Sequence, residues 1–189
     1  MSYPVFVSGD VLNASDMNAV GSWKITPSNA VNGTISDGAV TIGTNVATCR
    51  VEGVFSSTYD NYLVTISGMK TAAAANVSIL LGTSGGNNFY GSFYFDAYTG
   101  LNTGTSRTNN GASLQIGHAE ASLGESWIRL EIAAPNLARS TAFTGQHYGA
   151  TFSGWMAGTR ADTVQYTNFT ISSTSNMTGG TIRVYGLRN

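Results

Sequence analysis

The groups in this chain that could do chemistry are few: two histidines, His118 and His147, one cysteine, Cys49, and ten carboxylates. A catalytic triad or a metal site needs each histidine beside a carboxylate or the thiol. The reading favoured here is that both histidines are structural or exposed. The carboxylates include no close pair. A glycosidase dyad assembled from distant strands stays open. No G-x-S-x-G, H-E-x-x-H, P-loop or dinucleotide fingerprint is present, and the glycine-rich segments have turn spacing rather than phosphate-loop spacing. The expectation is a protein that binds and does not catalyse, with no cofactor and no metal.

Binding chemistry is easier to find. The segment YTGLNTGTSRTNNG, from Tyr98 to Gly111, contains no strand-forming run and reads as a loop. Tyr98, Arg107, Asn109 and Asn110 offer stacking and hydrogen-bonding groups of the kind that sugars or protein epitopes use, so they are the candidate receptor-binding residues. The alternative is a solvated connection. Tyr148 and Trp155 read as core or interface residues rather than ligand platforms.

The elements that must position these residues are strands. Hydrophobic residues make up 42% of the 189 and charged residues only 10%, so a core can form while polarity comes from Ser, Thr, Asn and 23 glycines. The net charge of −1, with basic residues scattered, argues against a nucleic-acid partner. No segment is long and apolar enough for a membrane-spanning helix, so no membrane insertion is expected. One cysteine excludes an internal disulfide, and Cys49 lies in an apolar stretch that would bury it. The opening MSYPVFVSGDV lacks the basic and apolar regions of a signal peptide.

The stretch Gly53 to Gly68 organises the rest. Tyr62, Val64 and Ile66 alternate with Leu63, Thr65 and Ser67, the pattern of a strand buried on at least one face. The same period of two predicts strands at Ser22–Thr26, Gly38–Val46, Thr48–Val54, Tyr62–Ser67, Asn76–Leu81, Phe89–Phe95, Ser113–His118, Trp127–Ala133, Thr141–His147, Ala150–Ala157, Val164–Ser172 and Thr181–Leu187. Turn dipeptides separate them: Asn32-Gly33, Asp37-Gly38, Gly85-Gly86, Asn110-Gly111 and Gly179-Gly180. Thr71 to Ala75 reads as a loop. A dozen short strands at this spacing predict an all-β sandwich or barrel.

The faces follow from alternation. Ile128, Leu130 and Ile132 point inward, and Trp127, Arg129 and Glu131 share the other face with the two charges adjacent. Ile182 and Val184 oppose Arg183, Tyr185 and Leu187; Phe89, Phe93 and Phe95 oppose Tyr90 and Tyr94. Strands with large residues on both faces suggest a subunit interface or a ligand face.

Residues 1–22 break this pattern. Asn13 is placed as an N-cap with Asp16 three residues on, Ala14 to Val20 make two helical turns, and Gly21 ends them. Such a helix needs a partner surface. The reading is a docking segment at 1–22 ahead of a β-sandwich domain at 23–189, with Val11, Leu12, Met17 and Val20 supplying apolar contacts.

Three segments resemble bacteriophage virion-appendage proteins of the tail-fibre, minor-tail and receptor-binding kind. FVSGDVLNASDMNAV is similar to their N-terminal F-x-x-G-D-x-L-N-A-x-x-M-N segment, matched here by Phe6, Gly9, Asp10, Leu12, Ala14, Met17 and Asn18. VFSSTYDNYLVTISG is similar to a strand entry of the same proteins, and TGGTIRVYGLRN resembles their last strand. The resemblance covers about a quarter of the chain. It implies a homotrimeric antiparallel jelly-roll-like β-sandwich located in the virion and made in the host cytoplasm. It also implies that the N-terminus, Phe6 included, docks on other virion proteins, while the distal domain contacts a host cell-surface glycan or protein. A tail fibre or receptor-binding protein is the first expectation. A capsid-decoration or head-fibre protein, a carbohydrate-binding lectin-like module and a depolymerase are the alternatives.

Overall fold

The computed structural model describes residues 22–83, 86–97, 103–121 and 126–187. The docking residues Phe6, Val11, Leu12, Met17 and Val20, and the loop residue Tyr98, lie outside these.

Among the described residues there are fifteen strands and no helix. In chain order they are β1 Ser22–Ile25, β2 Asn29–Val31, β3 Gly33–Ser36, β4 Ala39–Ile42, β5 Val46–Glu52, β6 Asn61–Thr71, β7 Ala75–Leu81, β8 Phe89–Ala97, β9 Thr103–Gly111, β10 Leu114–Ala119, β11 Ser126–Ala133, β12 Thr141–Tyr148, β13 Phe152–Arg160, β14 Phe169–Thr178 and β15 Thr181–Leu187. Every pairing is antiparallel.

They form a jelly-roll-like sandwich. The larger sheet runs β15-β6-β11-β12-β13-β8-β9, with β1 and the β3-β4 hairpin closing the far side of β15. The smaller sheet runs β10-β7-β14-β5-β2. The chain passes between them repeatedly, from β6 to β7 and back to β8, from β9 to β10 and back to β11. The sheets join at one corner, where Met177 and Thr178 of β14 pair with Thr71 and Lys70 of β6.

Strand β6 holds the position that its alternation suggests. It sits between β15 and β11 with Tyr62, Val64 and Ile66 at 0–1% exposure. Across the sheet Ile66 pairs with Ile128 and Val64 with Leu130, so one face of the larger sheet is apolar over its width. Val77, Ile79, Leu81 and Ile171 of the smaller sheet meet it, all fully buried. Each such side chain contributes about 1.5–3 kcal/mol on leaving water. Close approach of the sheets is possible because Gly91 and Gly158 stand opposite each other on the inner face; a Cβ on either would lie 2.7–2.8 Å from the Leu114 side chain of β10.

Tyr62 turns the entry of β6. Its hydroxyl donates to the Ser56 carbonyl and accepts the Ser56 N–H, both at 2.8 Å, while its ring meets Phe55 edge-on at 4.8 Å. The Asp37-Gly38 turn takes φ of 50° and 66°, both positive as a two-residue hairpin requires.

Several segments depart from the sequence reading, and β2 and β3 are strands that it did not predict. Thr103–Gly111 is strand β9, paired with β8 over Asp96↔Thr103 to Phe89↔Gly111, rather than part of a loop. Its Thr and Ser residues are compatible with a strand, and the aromatic β8 supplies the ladder that its own composition does not announce. Gly38–Val46 breaks at Gly43, where the chain leaves β4 before entering β5. Residues 164–168 precede β14 rather than belong to it: Val164 N–H and the Tyr166 hydroxyl both bond to Asp162, holding the stretch as a turn.

Candidate functional site: an aromatic face on the larger sheet

The outer face of the larger sheet carries residues that alternation places opposite the core. One row crosses it as Arg183, Thr65, Arg129, Gln146, Trp155, Tyr94 and Thr105, read through the registers of β15, β6, β11, β12, β13, β8 and β9. The row beside it includes Trp127, Tyr148, Ser153 and Asp96.

Trp155 is 59% exposed and Tyr148 47%. Neither is a core residue, which corrects one part of the sequence reading. Trp155 stacks on Tyr94 with centroids 4.3 Å apart and planes at 27°. Trp127 and Tyr148, on the adjacent β11 and β12, lie at 5.5 Å and 50°. Tyr148 faces Ser153, two residues from Trp155, so the two aromatic pairs are diagonal neighbours in one stripe across four strands.

Beside the stripe lies a depression of about 380 Å³. Its floor is low because Thr144, Gly145 and Ala157 are small, and Trp155, Gln146 and the Arg129–Glu131 pair form its rim. Arg129 Nη2 donates to Glu131 Oε1 at 3.0 Å with both side chains about half exposed. An exposed pair of this kind stabilises the fold by under about 1 kcal/mol, so its hydrogen-bonding groups are free to serve a ligand. Exposed aromatic rings, an amide and a charge pair on a rigid sheet can hold the apolar face of a ring while bonding its polar edge.

The sequence-predicted residues divide. Arg107 pairs with Ser92 and so lies on this face at the β9 edge, exposed. Asn109 is exposed near the end of β9. Asn110 is used by the fold: at a φ of 52° its Oδ1 accepts the Asn88 N–H at 3.0 Å and the Tyr90 hydroxyl at 3.3 Å. Sequence reasoning placed Trp127 and Arg129 on a non-core face and Tyr94 opposite Phe93 and Phe95, but it had no means to see that β8 and β13 are neighbours, which is what creates the Tyr94–Trp155 stack.

The remaining titratable groups do not converge on this face. His147 is 1% exposed, and neither ring nitrogen reaches hydrogen-bond geometry; burial pushes its pKa down to about 4, only partly offset by the His118 carbonyl, which is near but not bonded, and by the Glu120 charge. Burial likewise lowers the pKa of His118. Burial raises the Cys49 thiol to about 11. Arg160, 6% exposed, anchors the opposite end of the sandwich: its Nε meets Asp162 at 2.6 Å, its Nη1 donates to the Gly86 carbonyl at 3.2 Å, and its guanidinium lies over Phe89 and Tyr166. Burial alone would raise the Asp162 pKa, but bonds from Arg160, Tyr166 and Val164 outweigh it and hold the carboxyl low. Among the described residues no three His, Cys, Asp or Glu side chains are placed to hold a metal ion.

No family model matches the chain, and no curated protein does. Among solved structures, peanut lectin with a nonamer peptide aligns over 89% of this chain and 98% of its own at 11% identity and a TM-score of 0.34. Lotus tetragonolobus seed lectin aligns over 89% and 100% at 8% identity and 0.33, and LamAcat from Zobellia galactanivorans over 82% and 80% at 11% and 0.28. Scores this low carry no residue correspondence, and nothing about function is taken from them.

Proposed function

We propose that this protein is a carbohydrate-binding β-sandwich whose ligand lies on the outer face of the larger sheet. The observation that carries this is the exposed Trp155 ring stacked on Tyr94 beside the Arg129–Glu131–Gln146 rim. A pyranose presents an apolar C–H face and a polar edge, and the stripe and rim offer the complements of both. Binding without turnover fits the carboxylates on this face. Glu131 and Asp96 lie three strand spacings apart, ~14 Å or more, against the roughly 5–9.5 Å of a glycosidase pair. The resemblance to phage appendages supports a virion setting, with the sugar belonging to the host surface and the N-terminal segment docking on other virion proteins. The decisive measurement is a glycan array followed by calorimetry. Wild-type protein binds a defined glycan, and Trp155→Ala weakens that binding by about tenfold or more while the melting temperature stays nearly unchanged.

A second reading comes from the same face. Contiguous exposed aromatics also suit an interface between copies in a homotrimer. Light scattering distinguishes the two: a trimer that Trp155→Ala dissociates assigns the stripe to assembly, and an unchanged assembly with lost glycan binding assigns it to the ligand.

A further inference from the structure

The two sheets differ in width. Strand β10 ends the smaller sheet and packs over β12, β13 and β8 and touches β9, but Phe95, Gly104 and Phe152 at one end of β8, β9 and β13 stay only partly buried, so that corner of the larger sheet overhangs it. The inner face of the overhang carries Phe93 and Phe95, joined by Phe152 at the start of β13. Phe93 and Phe95 lie at 6.1 Å, and Phe152 meets Phe95 edge-on at 5.7 Å. Gly104 of β9 stands opposite Phe95, and a Cβ there would fall 2.1 Å from the Phe95 ring. The ring therefore occupies the space that a side chain on β9 would fill.

Below the overhang, Gln115 and His118 of β10 and Asn76 of β7 form the other wall. Together with the three phenylalanines they enclose a cleft of about 140 Å³. Gln115 Nε2 donates to Asn76 Oδ1 at 3.1 Å. His118 stands edge-on to Phe152 at 5.0 Å, and its Nδ1 is buried with no hydrogen-bond partner. The His118 imidazole lines the cleft and is the one polar side chain of this wall not bonded to a neighbouring lining side chain, which makes it the polar contact open to a ligand.

We propose that this cleft binds a small planar ring compound carrying one hydrogen-bonding group, of the size and chemistry of a phenol. A dry cavity of about 150 Å³ suffices for benzene, which sets the ring size. Three phenyl walls supply ring contacts, and His118 supplies one polar contact. A sugar does not fit this chemistry. Its several hydroxyls would meet mostly phenyl surface, and two of the three polar side chains already bond to each other. The cleft is on the opposite side of the larger sheet from the aromatic stripe, so this inference does not rest on the carbohydrate reading.

The test is a heteronuclear NMR titration of the full chain with phenol, benzene and glucose. Phenol shifts the side-chain resonances of Asn76, Gln115 and the phenylalanines saturably. Benzene binds about tenfold more weakly, the equivalent of one buried hydrogen bond. Glucose leaves these resonances unmoved. His118→Leu brings phenol down to the affinity of benzene. Asn76→Trp, at an exposed position on the rim, closes the cleft to both while the fold is kept. Absence of saturable phenol shifts, shifts confined to the Trp155 face, or undiminished phenol binding by Asn76→Trp overturns the proposal, the last of these holding even where His118→Leu does not fold.

Discussion

Trp155 and Tyr94 stack face to face at 4.3 Å on neighbouring strands, with the Trp155 ring more than half in solvent. The fold gains little from leaving a tryptophan there, so the pair's contribution should be visible in binding rather than stability. Trp155→Ala is expected to weaken glycan binding by about tenfold or more. Its melting transition should stay within the range of exposed substitutions, about 0.5 kcal/mol. Calorimetry and thermal melting on the same sample check both halves.

His147 predicts an acid-labile fold. Its folded pKa of about 4 lies below the ordinary 6.5 because burial disfavours the charged ring. The unfolded chain therefore binds a proton at a higher pH than the folded one. The resulting stability is present above about pH 6.5 and is lost as pH falls toward 4, amounting to about 3 kcal/mol. His118, also lowered by burial, adds in the same direction. His147→Leu removes two unsatisfied ring nitrogens and should flatten the pH dependence of the melting temperature without destabilising at pH 7. A variant that melts with the wild-type pH profile would count against this account.

Arg160 and Asp162 form a nearly dry ion pair, with side-chain exposures of 7% and 16%. Arg160→Met strands the carboxylate and removes the guanidinium from Phe89 and Tyr166, for an expected loss of about 3 kcal/mol. Removing both partners together should cost less than removing Arg160 alone, which a double-mutant cycle in urea measures.

Tyr62→Phe deletes one hydroxyl and leaves both the N–H and the carbonyl of Ser56 unpaired. The expected cost is about 1–3 kcal/mol, with the sheet unchanged by circular dichroism.

Cys49 is fully buried with its pKa raised to about 11 by that burial. The thiol is expected to resist a disulfide reagent at pH 8 in the native protein and to react at the rate of unfolding when urea is added. Fast labelling without denaturant would show an opening near β5 that the packing does not suggest.

Legibility of the site followed the range of the interactions involved. Alternation set Trp127, Arg129 and Glu131 on one face and Ile128, Leu130 and Ile132 on the other, and the structure agrees in each case. Arg107 was found as a candidate and lies on the aromatic face, although for another reason than a loop position: β9 is a strand and Arg107 is one of its outward residues. For Trp155 the core alternative fails, because an aromatic residue has no local mark distinguishing core from surface. Asn110, read as a recognition group, has its Oδ1 engaged in fastening β8 to β9, which nothing in the sequence signals.

The sequence alone determined what depends on neighbours within a few residues. The period of two along β6 and β11, the left-handed turn at Asp37-Gly38 and the scarcity of charge each follow from side-chain sterics and hydration acting locally. Only the tertiary structure decided which strands lie side by side. Strand β13 pairs with β8 and β6 stands between β15 and β11 because those arrangements bury the whole apolar face at once, a condition that no single segment encodes. The Tyr94–Trp155 stack, the burial of His147 and the cleft beneath the β8–β9 overhang are all products of that choice.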